Sequence, residues 1–364
     1  MHHISSREGA TVEIGIDSFV ETVVGTSASP TELGQQRVRE LMKEVELADR
    51  AGVDAFGIGE HHRPEYIASS PAVLLAAAAA RTERIRLMSA VTVLSSADPV
   101  RVFQDFATLD LISQGRAEII VGRGSFTESY PLFGYDLQHY DELFLEKLQL
   151  LLQLREETYV HWQGKHRPAL TGQGVFPRPA QKLLPISLGV GGTPQSFARA
   201  GKLGLPLTVA IIGGEPHRFR PLIDLYRQAG LAAGHDPAQL TVAVHTIGFV
   251  ADTTQQAADD LWPAYSQTFS RIGRERGWPP TTRAAFDAQR GPTGAFLVGD
   301  PATVAAKMQH IDRALGGVSR ISLMLSGGPL PHAKLLHAIE LLGKEVSPLV
   351  NAKTASELPE PVAV

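Results

Sequence analysis

The sequence predicts an α/β fold: a closed (β/α)8 TIM barrel with insertions after strands 4 and 7. Two observations lead there. Short β-branched apolar runs alternate with longer stretches of helical period along the chain, and eight such pairs suit a closed barrel better than an open doubly wound sheet. Several runs also stop abruptly in glycines or ionisable residues, as strands do when their C-terminal ends face a ligand.

The elements follow in order. Strand one is Val12 to Phe19. A helix from about Thr31, whose hydroxyl can cap it, ends near Gly52. Strand two is Ala55 to Gly59, and Pro71 starts a helix running to Arg81. Strand three is Ile85 to Leu94. Asp98-Pro99 caps and starts the next helix, which stops at Ser113-Gln-Gly115. Strand four, Ala117 to Val121, ends in Gly122-Arg-Gly124, and a helix spans Tyr140 to Glu156. Strand five, Pro185 to Val190, ends in Gly191-Gly192, with Thr193-Pro194 as N-cap and first helical residue. Strand six is Leu207 to Ile212, with Glu215-Pro216 starting its helix. Strand seven is Leu240 to Val250 and strand eight Ser319 to Leu325. A last helix covers Ala333 to Leu349. Two segments break the repeat: His161 to Lys182 reads as a hairpin, and Ala251 to Gly299 as a long insert of the kind that forms lids. One domain, residues 1–350, absorbs the pattern, followed by a flexible tail, 351–364.

Composition narrows the function. The chain has 364 residues, 43% hydrophobic, with a net charge of −4, so no basic surface for nucleic acid is expected. The absence of cysteine excludes disulfides, thiolate metal sites and cysteine nucleophiles, and fits a cytoplasmic protein. The longest apolar run, Ala72 to Ala80, is too short to span a bilayer.

Four constellations can carry chemistry. Strand two ends in Glu60-His61-His62, one carboxylate and two imidazoles. Adjacent strand-end residues point apart, zinc-helix spacing is absent and no third ligand is evident, so a general base or hydrogen bonder fits better than a metal site. At least one histidine of the pair is expected to be structural. Gly191-Gly192-Thr193 offers backbone N–H groups and a helix N-terminus to an anion, although a plain strand-to-helix turn would read the same. Arg123, between two glycines, can reach a phosphate or carboxylate, or be an ordinary surface arginine. Ser89 and Ala90 are small residues inside strand three. They mark a bulge or a place where a flat ring meets backbone, or simply pack against a large neighbour, which is the expectation preferred here.

Taken together, Glu60-His61-His62, Ala97-Asp-Pro-Val-Arg101, Leu109-Asp-Leu-Ile-Ser-Gln-Gly-Arg116, Val121-Gly-Arg-Gly124, Phe133-Gly134 and Val298-Gly-Asp-Pro-Ala-Thr-Val304 resemble the bacterial luciferase-like monooxygenase family, from Val12 to about Leu349. The resemblance implies a flavin-dependent oxidoreductase holding reduced FMN at the barrel mouth. Arg123, Gly191, Gly192 and Thr193 would serve the phosphate, and the backbone of Ala90, Val91 and Thr92 would back the ring, with a non-proline cis peptide at Ala90-Val91. Glu60 would lie near the ring, His61 would be the catalytic base and His62 would orient ring or substrate. The implied partners are a small organic substrate, O2, a separate flavin reductase and a second copy of the chain in a homodimer. Gly122 stands where the luciferases have a cysteine, and Gly191 and Gly192 replace a carboxylate and a serine, so light emission is not implied. Alternatives are hydride transfer with the deazaflavin F420, a non-catalytic flavin-binding protein and, remotely, a zinc hydrolase.

Overall fold

The computed structural model describes residues 11–23, 27–325 and 327–352. Eight parallel strands form a closed ring: β1 (Glu13–Ser18), β2 (Ala55–Ile58), β3 (Arg86–Ser89), β4 (Ala117–Gly122), β5 (Ile186–Val190), β6 (Leu207–Ala210), β7 (Val242–Val250) and β8 (Arg320–Met324). Each pairs with the next, and β8 returns to β1 with Glu13 opposite Arg320 and Asp17 opposite Met324. Helices cover the outside, and proline occupies the first turn of Pro30–Ala51, Pro71–Ala79, Pro99–Ser113, Pro194–Lys202 and Pro301–Leu315, where a missing N–H costs nothing.

The strand period of two sorts the side chains. Outward residues such as Ile14, Ile16, Phe56, Leu87, Ile119, Val121, Leu188 and Leu323 join the helices in one large apolar core. Burial of each large side chain there contributes about 1.5–3 kcal/mol. The inner face is smaller and more polar: Ala55, Met88 and Ile120 form a separate cluster with Val91 against it. At the N-terminal end of the barrel, Arg320 of β8 reaches across the ring to Glu118 of β4 at 2.8 Å, and also bonds Glu13 at 2.8 Å. Arg86 is the second partner of Glu118.

Both insertions are present. Tyr159–Trp162 and Leu170–Gly174 form an antiparallel hairpin. Its tip rises beside the helix Tyr140–Glu156: Lys165 Nζ lies 2.7 Å from Glu142, and Arg167 Nε lies 3.0 Å from Asp98. Those carboxylates start helices at the mouth, so the tip stands on the mouth side. After β7, the helix Thr254–Arg276 crosses to the loops following β2 and β4, and a short strand, Leu297–Gly299, pairs with β7 before the next helix begins. No helix among the described residues is long and apolar enough to cross a membrane.

Several boundaries differ from the sequence reading. The third strand is not continuous: it breaks after Ser89, the Ala90–Val91 peptide is cis, and pairing resumes only at Thr92–Val93. Ser89 is fully buried, and its hydroxyl stands in for the lost ladder, donating to Ile120 O and accepting from Ile120 N, both at 3.1 Å. The first helix starts at Pro30, with Ser29 rather than Thr31 at the N-cap position. The second helix stops at Ala79 rather than Arg81. The last helix passes through a π turn, Leu342–Val346, before its final turn, Ser347–Asn351. Asn351, taken as the start of a tail, instead fastens the first strand, its Oδ1 accepting from Val12 N at 2.8 Å and its Nδ2 donating to Val12 O at 3.1 Å. The rest of that tail, residues 353–364, lies outside the described residues, as do residues 1–10.

Candidate active site

The break in β3 is held by Glu60. Its backbone N–H donates to Val91 O at 3.2 Å, and its carboxylate accepts from Val93 N at 2.8 Å and meets His62 Nε2 at 2.9 Å. Glu60 therefore ties the end of β2 to the residues just after the cis peptide, while Ala90 N, just before it, donates to Ile58 O at 2.9 Å, and His62 orients Glu60. Glycines let the segment sit this close. A Cβ at Gly59 would collide with the Phe19 ring and Ala90 O, and Cβ atoms at Gly122 and Gly189 would press on the Val91 side chain, at 2.7 and 2.9 Å. These positions require the absence of a side chain rather than an unusual φ.

His61 has a different environment. Its ring is enclosed by Phe19 (4.4 Å between centroids), Tyr66 (4.6 Å) and Phe126 (5.0 Å). It is 8% exposed and makes no ring hydrogen bond to any described residue. Burial, then the positive field of His62, Arg63 and Arg276, lowers its pKa from 6.5 to about 3. The imidazole is thus neutral at physiological pH.

The cage is closed from above by the insert after β7. Arg63 pairs with Glu275 at 2.6 Å, Arg271 with Glu65 at 3.2 Å, and Arg276 donates to Ser125 O at 2.7 Å. Both Arg63 and Arg276 lie over the Phe126 ring, at 4.9 and 4.7 Å.

The remaining expected residues form a second group on the rim. Gly191, Gly192 and Thr193 are exposed beyond β5, and a Cβ at either glycine would meet open space. Thr193 holds the N-cap position of Pro194–Lys202, but its side chain makes no cap hydrogen bond, contrary to the expectation. Arg123, past the neighbouring β4, is not free: it donates to Asp141 at 2.7 Å and stacks on Tyr140 at 5.1 Å. Of the other aromatics named by the sequence, Tyr130 is core with its hydroxyl on Arg123 O, Phe133 is exposed against His62, and Trp162 sits on the hairpin.

Sequence reading missed several residues. Arg199 lies close enough to Arg123 for the two positive charges to interact, after burial, in lowering the Arg199 pKa; nothing local in sequence marks it. Asp17 of β1 and His245 of β7 meet inside the ring, Oδ2 to Nδ1 2.6 Å. Their signal was visible: an ionisable residue at an inward position in each of two apolar strands. Among the described residues one trio can offer ligand atoms to a metal, His139, Glu142 and His166, away from Glu60-His61-His62; Lys165 already occupies Glu142.

The caged imidazole and the glycine-lined rim stand at the C-terminal ends of the strands, the face on which (β/α)8 barrels carry their active sites. The chain belongs to the luciferase-like monooxygenase family, whose model matches residues 16–318. N-acetyl-S-alkylcysteine monooxygenase of Bacillus subtilis is 29% identical over 59% of this chain and 64% of its own length. The first curated relatives are spanned over only 55% to 64% of their own length. Three solved structures share the fold. Monooxygenase RslO1 of Streptomyces bottropensis is 24% identical, with TM-score 0.80 over 93% of this chain and 99% of that one. The oxygenating constituent of 3,6-diketocamphane monooxygenase of Pseudomonas putida, in complex with FMN, is 20% identical, with TM-score 0.74 over 93% and 99%. An F420-dependent secondary alcohol dehydrogenase in complex with an F420–acetone adduct is 17% identical, with TM-score 0.72 over 93% and 99%.

Proposed function

We propose that this protein is a two-component monooxygenase that uses reduced FMN and O2 on a small organic substrate. The observation that carries the reading is His61: a neutral imidazole without a polar partner, caged beside the cis segment and under the closed insert. Bound reduced FMN supplies the electrons that activate O2. The residues fit such a group. Arg123, Arg199 and the N–H groups of Gly191, Gly192 and Thr193 offer positive charge and donors to its phosphate, and the exposed glycines leave room for it. The backbone of Ala90, Val91 and Thr92 would back the ring. Glu60 and His62 fix that backbone, so their role is positioning. His61 would hold and pass the proton, and the insert Thr254–Arg276 would exclude water while it does so. A separate flavin reductase and a homodimeric state complete the proposal.

The deciding experiment is an anaerobic titration of the apoprotein with reduced FMN, oxidised FMN and F420, followed by fluorescence. The expected result is tightest binding of reduced FMN. Preference for F420 would replace oxygenation by hydride transfer, and binding of none of the three would remove the flavin reading. Light scattering checks the dimer.

A further inference from the structure

The inside of the barrel holds a second polar site, one layer below the cis segment. Asp17 and His245 come from strands separated by β8, and their side chains meet across the ring, Oδ2 to Nδ1 2.6 Å. Asp17 is 1% exposed and His245 6%. Their contact is close but off the line of a hydrogen bond: both oxygens of Asp17 and Nε2 of His245 are buried with no partner among the described residues, and Ser322 Oγ beside them is orphaned too. Ser322 faces Gly15, where a Cβ would collide with its hydroxyl, and pairs in register with His245.

Four orphaned polar atoms in one place are unusual. Each such atom is costly if nothing meets it, a carboxylate most of all. A structural pair would have been completed by a neighbouring donor, as Glu118 is by Arg320 and Arg86. Instead the neighbours are small. A Cβ at Gly57 would strike Asp17 Oδ1, and the same Cβ would stand 2.8 Å from that of Ala90. The carboxylate therefore lies directly beneath the segment that Glu60 pins. In the tautomer that carries its proton on Nδ1, toward Asp17, the imidazole turns an acceptor, Nε2, to the interior. Two facing acceptors and a serine hydroxyl select a ligand that donates.

We propose that Asp17 and His245 form the substrate subsite of this enzyme and recognise a protic oxygen, the O–H of a phenol or enol. His245 Nε2 accepts its hydrogen bond. When the substrate is activated, the O–H bond breaks, the proton passes to Nε2, and the electron pair stays on oxygen as phenolate or enolate. Asp17 then faces the imidazolium. Ser322 donates to the oxygen. This assignment rests on the oxygenase reading above and names its substrate class.

The test uses the full-length protein with a panel of substituted phenols and their O-methyl ethers, which keep shape and lose the donor. Affinities are read by intrinsic fluorescence, and the His245 imidazole by nitrogen-15 NMR. The expected result is at least tenfold tighter binding of phenols than ethers. Phenols alone should shift the Nε2 resonance, and the preference should fall to less than twofold in His245→Gln with ether affinity unchanged. Equal affinity for both series, binding of neither, or a preference that survives in His245→Gln would overturn the proposal and leave the pair to ordered water. Asp17→Asn serves as a second variant if its melting temperature matches the parent. Reduced-FMN affinity is measured alongside: its absence in the parent chain defeats the oxygenase reading while the phenol preference still reports on the subsite.

Discussion

The inward-facing polar groups at the two ends of the barrel are satisfied to different degrees. At the N-terminal end, Arg320, Glu13, Glu118 and Arg86 satisfy one another in a closed network. Burial pushes the Glu118 carboxyl upward, but Arg320 and Arg86 outweigh it and hold its pKa down at about 2. At the mouth, His61 has no polar partner and Asp17 and His245 are left incomplete. The same strands build both ends, so the difference is one of side chains. The rim of the mouth is paired as well, Arg63 with Glu275 and Arg123 with Asp141; the contrast lies in the inward groups His61, Asp17 and His245.

The largest effect is expected at the open end. His61→Gln should cut turnover by about 10²–10⁴-fold, the usual contribution of a general base, while reduced-FMN affinity stays within about threefold; loss of flavin binding together with turnover would make His61 structural. The same histidine carries a pH signature. Its folded pKa lies below its ordinary value, so the unfolded chain binds the extra proton. The stability it contributes is present above about pH 6.5 and is lost as the pH falls toward about 3, by roughly 1.4 kcal/mol per unit. Urea titrations of parent and His61→Gln between pH 4 and 8 should diverge on the acid side, with the parent losing more.

At the closed end the loss is one of stability. Arg320→Leu leaves Glu118 with Arg86 alone and removes the cation beside the partly exposed Glu13; it should cost about 3 kcal/mol in denaturant, with turnover per folded molecule preserved, and a selective loss of activity would erase the contrast between the ends. Glu118 adds a second acid limb. Its pKa is depressed in the fold, so its contribution is present above about 4.5 and is lost on the way down to about 2. A smaller effect is expected on the rim, where Arg199→Met should weaken reduced-FMN binding about tenfold, as loss of one charge-assisted contact does. An unchanged affinity would take Arg199 out of the phosphate site. The smallest is Arg276→Ala, expected to release about 1 kcal/mol of the clasp on Phe126 and to appear as faster hydrogen exchange in the last turns of Thr254–Arg276.

The sequence carried the fold well because strand ends are local: an apolar run that stops at Glu60 or Gly191 shows its own boundary. It carried the rim glycines and Glu60-His61-His62 for the same reason. Its residue pattern read β3 through the break, because Ala90 and Val91 are as strand-like as their neighbours and the lost ladder bonds are replaced by a serine hydroxyl, whereas the family resemblance placed the cis peptide at Ala90-Val91, where it lies. Asp17 and His245 were passed over although an ionisable residue within each of two apolar strands was in plain view; only the closure of the ring, which puts β7 and β1 on either side of β8, turns two isolated residues into a pair. Arg199, Arg63 and Arg276 gain their meaning from the mouth, where segments far apart in the chain converge.

Phe126 belongs at once to the wall around His61 and to the clasp of the insert, with Arg63 and Arg276 on its ring. Access and basicity are consequently the same variable. Withdrawing Arg276 would wet the imidazole and remove one of the cations that depress its pKa, bringing the histidine nearer its ordinary proton affinity. Restoring Arg276 lowers that affinity again, so enclosure keeps the imidazole neutral and weakly basic, and a molecule too bulky to be enclosed would meet a histidine that takes up protons more readily.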